Sequence, residues 1–126
     1  MKESINIENA PAPVGPYSQA VIHNNMMYAS GQIAINPKTG ELIKNDLKKE
    51  LIQILANIDS LLESAKINSN HILKCSIFLK NMNDFELVND LYADYFEPPF
   101  PARETVEVAR LPKDVNIEIS FIASLD

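Results

Sequence analysis

Tryptophan is absent, cysteine occurs once and glycine only three times in these 126 residues, and each scarcity removes a class of protein. One thiol, Cys75, makes no internal disulfide, so a reducing cytoplasm is the expected setting. Gly15, Gly31 and Gly40 are too few and too scattered to write a phosphate-cradling loop or a dinucleotide fingerprint. His23 and His71 stand without a His or Cys at ligand spacing, which predicts no metal site. No apolar run approaches the ~18 residues that suggest a bilayer span, and residues 1–15 lack the apolar stretch of a secretory leader, so no membrane association is expected. Basic residues are also short: eleven against seventeen acidic ones give a net charge of -6, a sign that opposes holding a phosphate backbone, and no nucleic-acid partner is expected.

What is present suffices for a packed core. Hydrophobic residues make up 46% of the chain and charged residues 22%, in a length that suits one domain over residues 1–126. The eight prolines fall in Pro11 to Pro37 and Pro98 to Pro112, and the stretch between them is free to be helical. There Leu47, Leu51, Ile54, Leu55, Ile58, Leu61, Leu62 and Ala65 recur at spacings of three and four, predicting a helix over 46–66. A second helix is expected from Asn83, with Asn83 as cap and Glu86 at the third position, through Phe85, Val88, Leu91, Tyr92, Tyr95 and Phe96 to the Glu97-Pro98-Pro99 stop.

Strands are read from alternation. Leu73, Cys75, Ile77 and Leu79 alternate with Lys74, Ser76, Phe78 and Lys80, and Val115, Ile117, Ile119 and Phe121 with Asn116, Glu118, Ser120 and Ile122. Residues 20–23 and 26–29 flank Asn24-Asn25 as a hairpin, a short strand is expected near Glu41–Ile43, and another over Thr105 to Ala109. The order predicts an α+β sandwich, a mostly antiparallel sheet with two helices on one face. The opposite face would carry Ser76, Phe78, Asn116, Glu118, Ser120 and Ile122, a mixture suited to a subunit interface that holds a site, with a solvated face as the alternative.

Two charged residues stand out. Both arginines, Arg103 and Arg110, fall in one short stretch, and Arg103 follows Pro98-Pro99-Phe100-Pro101-Ala102, whose fixed φ angles would preorganise its planar fork for a carboxylate. An ion pair with Glu104 or Glu107 is the ordinary alternative. Glu118, alternating away from the apolar side of its strand, could orient a water, and partial burial would raise its pKa toward the range of general acid–base work; otherwise it is a strand surface residue. Cys75, on the apolar side, reads as a core thiol.

Read together, Gly15-Pro16-Tyr17-Ser18-Gln19-Ala20, Ser30-Gly31-Gln32-Ile33, Pro101-Ala102-Arg103, Val106 to Asp114 and Ile117-Glu118-Ile119 occur in an order that closely resembles the reactive intermediate deaminase family, also called the Rid or YjgF family. The likeness runs from about Asn9 to Ala123. It implies a chorismate-mutase-like fold and a homotrimer with three active sites in clefts between subunits. It also implies hydrolysis of small enamine and imine acids such as 2-aminoacrylate and 2-iminobutanoate to 2-keto acids and ammonia, with no cofactor. Carried over, the family's carboxylate-binding arginine is Arg103, its water-positioning glutamate Glu118, and its pocket tyrosine, serine and asparagine Tyr17, Ser30 and Asn89. Gly31 and Thr105 would contribute backbone donors. Thr105 stands where many members have cysteine, and the neighbouring Glu104 raises the question of local charge at the site. A carboxylate-binding regulatory trimer and, less favoured by the charge balance, an endoribonuclease are the rival readings.

Overall fold

The computed structural model describes residues 1–126. Strands β1 (Glu3–Ile5), β2 (Ala20–His23) and β3 (Met26–Gln32) lead into helix α1 (Leu47–Ser64), β4 (Ile72–Leu79), helix α2 (Phe85–Tyr95), β5 (Ala102–Glu107) and β6 (Ile117–Ser124). All six strands form one sheet in the order β1-β2-β3-β6-β4-β5, antiparallel except for the parallel β4–β5 pair. The last strand is thus inserted between β3 and β4, which both run antiparallel to it and so parallel to each other. The β3-α1-β4 and β4-α2-β5 crossovers step across the sheet in the same direction, and right-handed connections then place both helices on one face.

Local chemistry explains the elements. Asn24 and Asn25 take φ of 49° and 65°, the left-handed pair of a two-residue hairpin turn, and thereby fix the β2–β3 register. Asp46 caps α1 by accepting from the Lys49 N–H at 3.1 Å. The inward stripe of α1, including Leu51, Ile54, Ile58, Leu61 and Leu62, is fully buried against Ile77 and Leu79 of β4 and Ile117, Ile119 and Phe121 of β6. Two polar residues share that stripe. Asn57 donates to the Ile33 and Ile35 carbonyls, and Glu50 accepts from the Asn116 amide side chain at 2.7 Å. No helix is long and apolar enough to cross a membrane.

Several expectations are corrected. The segment near Glu41–Ile43 makes only an isolated bridge, Ile35 with Leu42, and β1 was not expected at all, its three residues being too few for a periodic pattern. The fifth strand begins at Ala102 and ends at Glu107, because pairing with the long β4 extends it upstream, and the sixth runs from Ile117 to Ser124. Leu73 does not face the helices: a bulge between Ile72 and Lys74 turns it outward, 49% exposed, and Ile72 takes the core position. The cap before α2 is also displaced. Asn81 caps a short 3-10 turn over Met82–Asp84 by accepting from the Asn83 N–H, and Asp84 precedes α2 without a side-chain capping bond. Finally, Asn116 turns its side chain toward α1 rather than the bare face, because the buried Glu50 carboxylate needs a donor.

Candidate functional site

Arg103 lies on the edge strand β5, in register with Cys75 of β4, and so on the helix-covered side of the sheet. Helix α2 receives it with one face. Phe85, Asn89 and Tyr92 recur at spacings of four and three; the Asn89 Oδ1 accepts from the Arg103 Nη1 at 2.8 Å, and the guanidinium carbon stands 4.9 Å from the Tyr92 ring centre and 5.6 Å from that of Phe85. Held this way, the group keeps its other nitrogens for a ligand, over an open groove of about 480 Å³ lined by Asn89, Tyr92, Phe100 and Pro101. The anticipated ion pair with Glu104 or Glu107 is not made. Glu104 points to the opposite face, where it pairs with Lys74 at 3.1 Å and accepts from the Ser76 hydroxyl, contacts that hold its carboxyl below the ordinary range, Ser76 first. Glu107 accepts from the Met82 N–H at 2.8 Å. The charge of Glu104 is therefore kept away from its own chain's Arg103.

Thr105 shares the side of Arg103, opposite Ile77, and its hydroxyl is buried with no hydrogen-bond partner, as is the hydroxyl of Tyr92. Cys75, in register with Arg103, is buried in the core. Burial pushes its thiol pKa up, against the smaller opposing pull of the Arg103 charge.

Glu118 occupies the other face, opposite Phe78 in the β4–β6 ladder. Beside it, β3 breaks register between Ala29 and Gln32, and Ser30 and Gly31 form the irregular stretch. A Cβ on Gly31 would fall 2.6 Å from the Glu118 carboxyl carbon and 2.7 Å from its Oε2, so glycine is what admits the carboxylate against the β3 backbone. Burial raises the Glu118 pKa above the ordinary glutamate value. The Ser30 hydroxyl donates to the Ser18 carbonyl at 2.6 Å and its N–H to the Gln19 carbonyl at 2.9 Å, anchoring the loop that presents half-exposed Tyr17. Tyr17, Ser30, Gly31 and Glu118 together line a chamber of about 360 Å³.

Of the residues singled out in the sequence, Tyr17, Ser30, Gly31 and Glu118 thus meet in one place, and Arg103, Asn89 and Thr105 in another. In one chain the two sets are on opposite faces of the sheet. Arg103 and Glu118 are also separated by two inter-strand spacings, with β4 between them, and by three residues along the strands, roughly 14 Å between backbones. Four residues of these sites were not foreseen. Phe85 and Tyr92 could have been found with Asn89 from their helical spacing. Buried Gln19 uses its amide nitrogen on the carbonyls of Ile7, Ala10 and Pro11, and the sequence gives no hint of that staple. Lys113, left-handed at φ 55° in a turn on the chamber wall, gives none either.

A family model described as Endoribonuclease L-PSP matches residues 7–125. The chain is 53% identical to a RutC family protein of Pyrococcus horikoshii over 123 residues, 98% of each chain. It is 48% identical to the Escherichia coli protein named 2-iminobutanoate/2-iminopropanoate deaminase, again over 98% of each. This chain belongs to the Rid family. A Rid-family crystal structure from Yersinia pestis superposes with a TM-score of 0.95 at 50% identity, covering 98% of this chain and 99% of that one, so the two helices and mixed six-stranded sheet described above are those of Rid-family structures. Names within the family differ, and a structure from Thermotoga maritima called a putative endoribonuclease matches with a TM-score of 0.94 at 41% identity.

Proposed function

We propose that this Rid-family chain hydrolyses enamine and imine forms of small 2-amino acids, 2-aminoacrylate and 2-iminobutanoate among them, to 2-keto acids and ammonia, and that it does so as a homotrimer with chorismate-mutase-like packing. The observation that carries the proposal is the separation of Arg103 from Glu118. A substrate of a few atoms cannot bridge opposite faces of one sheet, whereas a second copy docked on the bare face would bring its Arg103 to the first copy's Glu118. That face has the composition for such a contact: Tyr28 and Val106 are 44% and 41% exposed beside half-buried Phe78 and Ile122, interspersed with Ser76, Ser120 and Glu118.

In the assembled cleft, Arg103 of one subunit clamps the substrate carboxylate with the guanidinium nitrogens that Asn89 leaves free, while backbone donors at Thr105 and Gly31 and the Tyr17 ring fix its orientation. Glu118 of the other subunit accepts a proton from water as the oxygen attacks the imine carbon. That proton passes to the imine nitrogen to give the neutral carbinolamine; the carbinolamine hydroxyl then gives its proton by way of Glu118 to the amino nitrogen as the C–N bond breaks, leaving the 2-keto acid and ammonia, and an enamine enters the same path once it has tautomerised to the imine. A carboxyl whose pKa burial raises takes up and holds a proton more readily than an exposed glutamate, which suits it to relay one. Small imines also hydrolyse unaided, so the site needs to supply only positioning and one proton relay, the extent of what these side chains offer.

Subunit mixing tests the arrangement. Arg103→Lys and Glu118→Gln homotrimers should each be nearly inactive on 2-iminobutanoate, and denaturing and refolding them together in equal amounts should restore about a quarter of wild-type activity, the share of interfaces that draw both intact residues from different chains. No recovery in a demonstrably mixed trimer would overturn the shared site. Wild-type imine decay no faster than buffer, with 2-keto acid binding intact, would favour the regulatory reading.

A further inference from the structure

The chamber beside Glu118 has more room, and a different lining, than a three- or four-carbon imino acid requires. Beyond the Ser30–Gly31–Glu118 floor its walls carry the hydrocarbon of Val14, Ile33, Ile35, Pro11 and Pro112 beside half-exposed Tyr17, and the two glutamines on the lining, Gln19 and Gln32, already donate their amide nitrogens to backbone carbonyls. Ile33 and Ile35 are half-buried, and their carbonyls are fixed by the Asn57 side chain at 3.4 and 3.0 Å, so this wall is rigid. Val14 is 72% exposed in the isolated chain, an apolar side chain that only a bound molecule or a second subunit would cover. Lys113 is the one cationic residue on the lining.

From this lining we infer that the site is an alkyl subsite as well as a reaction centre, and that the preferred substrates are 2-imino acids with branched or longer aliphatic side chains rather than the smallest members of the class. The inference rests on the reading of Arg103 and Glu118 given above. With the substrate carboxylate held by Arg103 from across the cleft, the other end of the molecule is directed past Glu118 toward Ile33 and Ile35. Each methylene buried there improves binding about fourfold, whereas a polar terminus would lose its hydration without a partner.

The chemistry of such substrates also places the reaction in a sequence. β-Elimination from serine or threonine, the common hydroxy amino acids, yields enamines of only about three or four carbons. A branched aliphatic imine instead arises when an amino-acid oxidase or dehydrogenase removes two electrons and two protons across the Cα–N bond, passing them to a flavin or nicotinamide. The step proposed here then adds water across C=N and releases ammonia, with no further change in oxidation state.

Binding of 2-keto acids to the wild-type assembly tests the subsite apart from turnover. Calorimetry should show 4-methyl-2-oxopentanoate binding on the order of tenfold or more tighter than pyruvate, with 2-oxobutanoate between them and 2-oxoglutarate weakest relative to its size. Ile35→Ala should compress the ratio between the longest and shortest ligands by about fivefold or more, and Val14→Ser, in an exposed loop where folding is not at risk, should compress it by about twofold. Affinity independent of chain length, or 2-oxoglutarate binding most tightly through Lys113, would overturn the inference. Imines generated in place by an amino-acid oxidase from alanine and leucine give the separate readout. A chain-length gradient in binding without accelerated imine decay leaves the subsite standing and removes the deaminase, while decay accelerated equally for both imines does the reverse.

Discussion

Arg103 and Glu118 sit on the same sheet under opposite conditions. Arg103 lies on the helix side, where two aromatic rings and Asn89 hold a group whose charge never varies. Glu118 lies on the bare side, pressed against a glycine in a strand irregularity, where burial makes its charge costly and its proton easier to keep. Under the proposed function, the difference is that between an anchor and a proton carrier. The anchor needs rigid donors and permanent charge; the carrier needs a titration brought toward neutrality, which water-exposed glutamates lack.

The sharpest way to break this contrast is to spoil the anchor. Arg103→Lys keeps the charge but loses both the Asn89 bond and the fork, and should cut imine hydrolysis on the order of 10²-fold to 10³-fold, while Arg110→Lys stays within about twofold. Equal rates for wild type and Arg103→Lys would move the carboxylate to another residue.

Glu118→Gln comes next, with a loss on the order of 10²-fold and 2-keto acid binding retained. It also carries a stability signature. The folded carboxyl holds its proton more tightly than the unfolded one, so ionisation weakens the fold above the raised folded value, and the weakening is relieved as pH falls toward the unfolded value near 4.3. Urea unfolding should therefore show Glu118→Gln as the more stable protein at pH 7, with the gap closing as pH falls through that window. The acid limb of wild-type activity should likewise lie above the range of an ordinary glutamate.

Gly31→Ala sharpens the role of the glycine. The added methyl displaces the Glu118 carboxylate, and should cost about tenfold or more in turnover and about 1–3 kcal/mol in stability by overpacking. A fully active Gly31→Ala protein would show that the carboxylate works from a different position. The smallest expected effect is Cys75→Ala, about 1 kcal/mol or more of stability with turnover retained; a folded but inactive variant would make the thiol a nucleophile.

Much of this was legible along the chain. Helix α1 carried three- and four-residue spacings over five turns, β4 and β6 carried strict alternation, and Asn24-Asn25 marked a tight hairpin, because all of these depend on neighbours a few residues away. The motif blocks named the family and, with it, Tyr17, Ser30, Arg103 and Glu118. Leu73 was misplaced because a bulge changes the side of a residue without changing its type. Asn116 was misplaced because its partner, Glu50, is sixty-six residues away and buried in the mostly apolar inward stripe of a helix.

The residue pattern by itself determined the element types, the apolar face of each long element and the family, since periodicity and motif are local properties of the chain. Only the tertiary structure decided that β6 inserts between β3 and β4, which brings Glu118 beside Gly31, and that β5 pairs with β4 in a register setting Arg103 beneath α2. Strand order and register arise from pairing between distant segments, and nothing in a single strand's alternation states which neighbour it will meet.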